Sequence, residues 1–416
     1  MKICVLGAGV AGMTSAYFLA HAGHDVTVVE RNSGVGLETS YANGGQLSYC
    51  YVAPLAGPGV LPKVPPWLLR RDSPLRFSPR LDYYQWRWCL QFVLACNAAQ
   101  SDLTTSRLLR LSFYSRKLMH AMVESEPLDF DYVQNGKLVY YMDEASYRGA
   151  VTTMEYQLSL GCEQQALDRD ACVAREPALT AVVQDIAGGI YTPSEDAGDC
   201  YRFCTSLEHI MRGGEHPVQF ELDTQVTGFV RNANRISAVR TNRHDIEADW
   251  FVATMGAQSV FLLRPINIDV PMYPLKGYSL TVPIENDAAA PRVSITDHKR
   301  KVVYARLGEE LRIAGMADIT NYRADLDPAR IEVLTRQARA TFPGSADFSR
   351  AEPWCGLRPA TPEGTPVIGP TRYSNLLLNV GHGALGFTLA CGCGKIIADL
   401  ASRKEPEISL DGFTLE

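Results

Sequence analysis

Residues 5–12 read VLGAGVAG, and residues 26–30 read VTVVE. Between them runs a helical pattern, with Val10, Met13, Ala16, Tyr17 and Ala20 spaced along one face. Strand, helix and strand make a βαβ unit whose first turn fits G-x-G-x-x-G at Gly7, Gly9 and Gly12. Gly7 makes the tight turn, a side chain at Gly9 would collide with a pyrophosphate, and Gly12 lets helix and strand approach. The phosphates belong at the helix N-terminus, around Val10 and Ala11, where free N–H groups and the dipole favour negative charge. Glu30 closes the second strand, placed to accept hydrogen bonds from both ribose hydroxyls and to repel a 2′-phosphate. The unit therefore predicts an adenine dinucleotide other than NADP.

Working outward, 416 residues are enough for two domains. A net charge of −6 gives no basic field, which argues against nucleic acid. Eleven cysteines, an odd number without a framework, read as reduced thiols of a cytoplasmic protein; neither Cys200/Cys204 nor Cys391/Cys393 has a partner pair at zinc spacing, and no metal is expected. MKICVLGAG is already a strand running into a turn, so no signal peptide is expected, and no apolar run approaches the ~20 residues that span a bilayer. Residues 60–96 hold Trp67, Trp86 and Trp88 among arginines. They read either as a surface that lies on a membrane or as a loop and helix packed on the protein's own core.

Helical patterns cover about 83–126, 145–161, 198–212 and 328–342, with short β segments between 216 and 255 and again from 278 to 316. The tail, NLLLNVGHGALGFTLACGCGKIIADLAS, reads strand, glycine turn, helix. Glycine-rich strand ends thus recur near 7–12, 256 and 381–386, and they are expected to converge at the carboxyl ends of parallel strands. The expected fold is an α/β Rossmann-type domain carrying G-x-G-x-x-G, joined to an α+β second domain on an antiparallel sheet.

Three further stretches carry a family resemblance. ETSYANGGQLS (38–48), PLKGYSLTV (274–282) and GLRPATPEGTPVIGP with the tail resemble the D-amino acid dehydrogenases of the DAO-type, glycine-oxidase-like flavoproteins. The resemblance spans nearly the whole chain. It implies non-covalent FAD, since no cysteine or histidine stands at a matching attachment motif. It implies oxidative deamination of a D-amino acid to a 2-oxo acid and ammonia, with hydride passing from substrate Cα to flavin N5. Electrons would leave to a quinone at the cytoplasmic face of the inner membrane or to another acceptor. The implied division is 1–56, 147–262 and 345–416 for the FAD-binding domain, and 57–146 and 263–344 for the substrate-binding domain.

The resemblance also implies roles. Gly7, Gly9, Gly12, Glu30 and Arg31 would hold the ADP half, with Val226 at the adenine. Ser40, Ala42, Asn43, Gly44, Gly45, Gln46 and Leu47 would wrap the flavin side, with Gly256 and Ala257 by the ribityl or phosphate region. Gly383, Ala384, Leu385, Gly386, Phe387 and Thr388 would approach the pyrimidine end, their N–H groups stabilising the reduced ring. Arg358 matches the arginine that grips the substrate carboxylate, a task suited to its planar fork; Ala384 stands where the oxidases carry a second arginine. Tyr278 is either a donor to that carboxylate or a core aromatic. His382 is either beside the cofactor or a backbone cap, and Tyr49 and Tyr51 are further candidates at the pocket. The family's Ser-Pro-Gly is here Ser48-Tyr49-Cys50, where the substrate pocket should open, and its Gly-Ser-Gly is Gly392-Cys393-Gly394. Alternatives are an amino or imino acid oxidase, a hydroxyproline-type dehydrogenase, an NAD-linked dehydrogenase, and a flavin-bearing scaffold without turnover.

Overall fold

The computed structural model describes residues 1–64 and 73–415; Trp67 lies outside them. Two sheets dominate. The first joins β1 (Lys2–Leu6), β2 (Asp25–Val29), β9 (Gln219–Glu221), β13 (Trp250–Ala253), β19 (Val367–Pro370) and β20 (Leu376–Val380) in the order β19-β20-β13-β1-β2-β9. All its pairings are parallel except β19–β20. Its central strands are apolar because both faces are covered, the signature of a parallel sheet. A three-stranded sheet of β10 (Val226–Asn232), β11 (Arg235–Thr241) and β12 (Ile246–Glu247) lies beside it, and β3 (Gln46–Leu47) pairs with β8 (Asp196–Ala197).

The second sheet has nine strands. They are β4 (Leu75–Phe77), β5 (Lys137–Tyr141), β6 (Gln165–Leu167), β7 (Gly188–Thr192), β14 (Tyr273–Pro283), β15 (Ser294–Asp297), β16 (Val302–Leu307), β17 (Glu310–Ile319) and β18 (Glu352–Ala360). The main path runs β18-β14-β17-β16-β15-β5-β7-β6, with β4 alongside β17. This corrects the expected boundaries. β6 and β7 come from 147–262 and β18 from 345–416, yet hydrogen bonding puts all three in the second sheet. The sheet is also mixed, since β15–β5 and β17–β4 run parallel.

The helices are α1 (Val10–His21), α2 (Tyr83–Ala95), α3 (Ala98–Ser125), α4 (Glu144–Ser159), α5 (Arg169–Arg175), α6 (Cys200–Gly213), α7 (Ser259–Leu263), α8 (Pro328–Thr341) and α9 (Gly386–Ala401). The long pattern at 83–126 is two helices. The chain turns at Cys96, and Asn97 caps the second by accepting from the Gln100 N–H at 3.0 Å. Asp82, Asp143, Asp199 and Asp327 cap α2, α4, α6 and α8 in the same way. At α1 and α9 the N-cap residues, Gly9 and Leu385, offer no side-chain acceptor. Those two helix starts belong to the functional site.

Candidate functional site

The three glycine turns converge. β1, β13 and β20 are neighbours in one parallel set, so their carboxyl ends open on the same edge. Thr254, just past β13, donates from Oγ1 to the carbonyls of Leu6 (2.8 Å) and Gly7 (3.0 Å). A Cβ on Gly12 would stand 1.9 Å from the Gly7 carbonyl oxygen, so helix and strand touch there as only glycine permits. Helix α9 presses on α1 through Gly394, whose Cβ would lie 2.7 Å from the Thr14 carbonyl carbon. Thr14 Oγ1 also donates to the Ala390 carbonyl at 2.9 Å. The starts of α1 and α9, both without a side-chain N-cap, therefore belong to neighbouring, packed helices.

Gly9 tests whether these turns fit a dinucleotide. Its φ of −72° suits any residue, and the nearest atom to an added Cβ is Ser40 Oγ at 3.6 Å. Neither strain nor protein packing calls for glycine here; close approach of a phosphate does. Ser40 Oγ accepts the Val10 N–H at 3.0 Å, so it completes the first turn of α1. Glu30 takes the Ala8 N–H on Oε2 (2.8 Å), and Asn32 donates to Oε1 from its backbone (2.9 Å) and side chain (2.7 Å). Asn32, unremarked in the sequence, thus orients the carboxylate. Arg31 turns instead to Glu38. Val226 begins β10 two residues after Thr224, whose N–H donates to the Glu30 carbonyl at 2.8 Å. Gly256 and Ala257 begin a 3₁₀ turn after β13, beside Met255, which packs on Gly7. The residues fit an FAD.

The segment 40–47 crosses beneath one face of the second sheet and is held by residues the motifs did not reveal. Ser279 donates to the Ala42 carbonyl at 2.6 Å. Arg312 donates to the Asn43 carbonyl at 2.9 Å and pairs with Asp199 at 3.0 Å. Asn43 Oδ1 accepts the Gly45 N–H at 3.0 Å, and a Cβ on Gly44 would press Val303 at 3.1 Å. Gln46 Nε2 donates to the carbonyls of Ile295 and Tyr304. Leu47 points into the first domain's core, so its side chain is packing material.

Arg358 lies on the same face. Strands β14 and β18 place Gly277 opposite Gly356, a bare patch of sheet. A Cβ on Gly277 would sit 2.4 Å from Arg358 Nη2, and one on Gly356 would sit 2.1 Å from the tip of the Trp354 indole. The guanidinium and the indole thus lie flat over neighbouring glycines. Arg358 Nη1 donates to the Met316 carbonyl at 2.7 Å, and among the described residues it forms no ion pair. Burial pulls its pKa down while Asp318 pulls it up; the group remains a cation. A half-buried cation whose hydrogen-bond partner among the described residues is a neutral carbonyl calls for an anion.

Tyr278 does not supply a second donor. Alternation along β14 turns it to the opposite face, where it is 1% exposed among Leu280, Ile313 and Leu334. Its hydroxyl donates to Asp318 at 2.9 Å, and Arg76 and Arg330 also bind Asp318. His382 is also engaged. Its Nε2 lies 2.9 Å from Asn379 Oδ1, and burial lowers its pKa to about 4, so it is a neutral buried ring. It braces the turn: Asn379 reaches Ser15 of α1 at 3.0 Å, and residue 382 bridges to Ala360 of β18. Gly383 donates to the Pro359 carbonyl at 2.8 Å, fastening the turn beside Arg358. Gly383, Ala384, Leu385 and Gly386 keep exposed surface, whereas Phe387 packs on Phe130 and Phe203, and Thr388 is buried. Tyr49 is fully buried near His120. Tyr51 lies under Lys137, whose Nζ is 4.1 Å from the ring centroid.

The family model described as FAD dependent oxidoreductase matches residues 2–400. The chain is 49% identical over 424 residues to "D-amino acid dehydrogenase 2" of Ralstonia nicotianae, covering 100% of both proteins. It is 46% identical to "D-amino acid dehydrogenase 2" of Pseudomonas aeruginosa, covering 99% of this chain and 97% of that one. Among solved structures it is similar to glycine oxidase from Geobacillus kaustophilus, with a TM-score of 0.78 and 19% identity, covering 100% of this chain and 98% of that one.

Proposed function

This chain belongs to the FAD-dependent oxidoreductase family, and from that premise we propose that it oxidises D-amino acids to 2-oxo acids and ammonia as a dehydrogenase. The observation that carries the reading is the Arg358 guanidinium, without an ion pair among the described residues, fastened beside the turn that starts α9. FAD, when bound, supplies the two-electron oxidant for the substrate's Cα–H. Arg358 holds the substrate carboxylate through its planar fork and so fixes where Cα lies. Its charge also favours the neutral amine over the ammonium, as oxidation requires. The N–H groups at the start of α9, free of a side-chain N-cap, face the site with the positive end of the helix dipole. Ser279 and Arg312 fix the backbone of 42–43, and Glu30 with Asn32 forms the ribose end. Water hydrolyses the resulting imino acid.

The test is anaerobic mixing of the yellow protein with a panel of D- and L-amino acids. The flavin absorbance should bleach with D-amino acids. A spectrum unchanged by every D-amino acid would remove the proposal.

A second reading concerns the acceptor. Helix α2 turns Tyr83, Trp86, Leu90, Val93 and Leu94 outward, with Leu90 61% and Leu94 69% exposed. From 83 to 101 the one charged residue is Arg87, which pairs with Asp269. No helix among the described residues is long and apolar enough to cross a membrane. This stripe supports a peripheral membrane contact, where a quinone would take the electrons. Trp86→Glu with Leu90→Glu and Leu94→Glu should cut co-sedimentation with lipid vesicles by more than about tenfold. Dye-linked turnover should persist. Wild-type protein that stays in the supernatant would rule the contact out.

A further inference from the structure

Residues Ser48–Tyr51 follow the flavin-facing segment and have almost no regular secondary structure, yet they are nearly enclosed. Buried irregular backbone must find partners for its N–H and C=O groups. Here side chains from four parts of the fold supply them, and a fifth reaches the Ser48 hydroxyl. The Ser48 N–H donates to Thr388 Oγ1 of α9 at 3.0 Å. The Tyr49 and Cys50 N–H groups donate to the two carboxylate oxygens of Glu195, at 2.6 and 2.7 Å. Ser112 of α3 donates to the Tyr49 carbonyl at 2.6 Å, and Gln157 of α4 donates to the Cys50 carbonyl at 3.0 Å. Lys137 of β5 donates from Nζ to Ser48 Oγ at 2.8 Å and covers the Tyr51 ring.

Two of these captors are charged and buried, Glu195 at 0% and Lys137 at 2% exposure. Burial drives the carboxyl's pKa up and the ammonium's down, and each charge opposes the other's shift. Such a pair is a costly way to fill a core; a well-packed apolar pair serves stability at least as well. What an apolar pair cannot do is bind two successive N–H groups and a hydroxyl. Ser48 is the junction: through its N–H it touches the first turn of α9, and through its hydroxyl it touches the second sheet. The segment therefore links the turn at the flavin to the domain that carries Arg358.

We propose that Glu195 and Lys137 are positioning residues: by holding Ser48–Tyr51 in a single conformation they keep the first turn of α9 aligned with the sheet that carries Arg358. This rests on the D-amino acid dehydrogenase reading. The consequence is separable: substrate binding should depend on the pair more than FAD binding or turnover at saturation does.

The experiment measures flavin content, kcat and KM for Glu195→Gln, Lys137→Met, their combination and Ser48→Ala in the full chain. Each charged-residue variant should raise KM for the amino acid by about tenfold or more while kcat changes by less than about threefold. The ratio of flavin to protein absorbance should stay at the wild-type value. The double variant should lose less than the product of the single losses, because it leaves no unpaired buried charge. Ser48→Ala, which keeps both charges and removes only the hydroxyl that Lys137 donates to, should raise KM in the same direction and keeps the test decisive if a charged variant fails to fold. Flavin-loaded variants with wild-type KM, or losses confined to melting temperature, would overturn the proposal. A wild type not reduced by any D-amino acid would instead sink the functional reading, and the two failures are distinguishable.

Discussion

Arg358→Met raises the Michaelis constant for the amino acid by about a hundredfold or more, the scale set by removing one member of a desolvated charge pair. The side chain of methionine can still cover Gly277, so the sheet keeps its packing. What disappears is the fork that meets the carboxylate, together with the hydrogen bond to Met316. FAD content should be unchanged, because no contact of Arg358 reaches Gly7–Gly12 or Glu30. Arg358→Lys should recover only part of the loss, since an ammonium offers a point charge without the planar geometry. Steady-state kinetics with a dye acceptor, beside flavin absorbance of the purified variants, decides the matter. A wild-type Michaelis constant in flavin-loaded Arg358→Met would show that the carboxylate binds elsewhere.

The second large effect separates the two glycines of the first turn. Gly12→Ala puts a methyl 1.9 Å from the Gly7 carbonyl oxygen and 2.8 Å from Thr254 Oγ1. Backbone stands on one side and a twice-bonded hydroxyl on the other, so helix and strand must separate. The expected cost is about 3 kcal/mol or more, with a lowered melting temperature and little retained flavin. Gly9→Ala meets only Ser40 Oγ, at 3.6 Å. The apoprotein should melt as the wild type does, while FAD affinity falls by about tenfold or more because the methyl occupies phosphate space. Thermal melts of both apoproteins and FAD titration of Gly9→Ala check this. Equal destabilisation by the two substitutions would mean that Gly9 serves packing and not a ligand.

The parts of the site legible in the sequence are those where local chemistry forces a residue type. Gly7, Gly9, Gly12 and Glu30 lie within one βαβ unit, and the turn before α9 repeats the same logic. Tyr278 was misleading for a physical reason. Every residue of β14 from Tyr273 to Val282 is buried, so no polar face marks which side of the strand meets the cofactor. Gly277 and Ser279 face the 40–47 segment, whereas Tyr278 and Leu280 face the core under α8. Arg312, Glu195 and Lys137 were invisible because their partners lie 31 to 269, 145 to 146 and 89 residues away. The domain boundaries slipped for a related reason. Pairing of β7 with β5, and of β18 with β14, is decided by sheet edges that no local pattern announces.

Strand β18 has a consequence for motion. It is paired along its length with β14, accepts from Thr39 through the Leu357 carbonyl, and grips the 382–383 turn through Pro359 and Ala360. One continuous piece of chain thereby spans both halves of the molecule at the point of reaction. If the halves breathe as fuel enters and product leaves, the proposed anchor for the fuel and the proposed cap over the coenzyme travel together, and their alignment survives the movement.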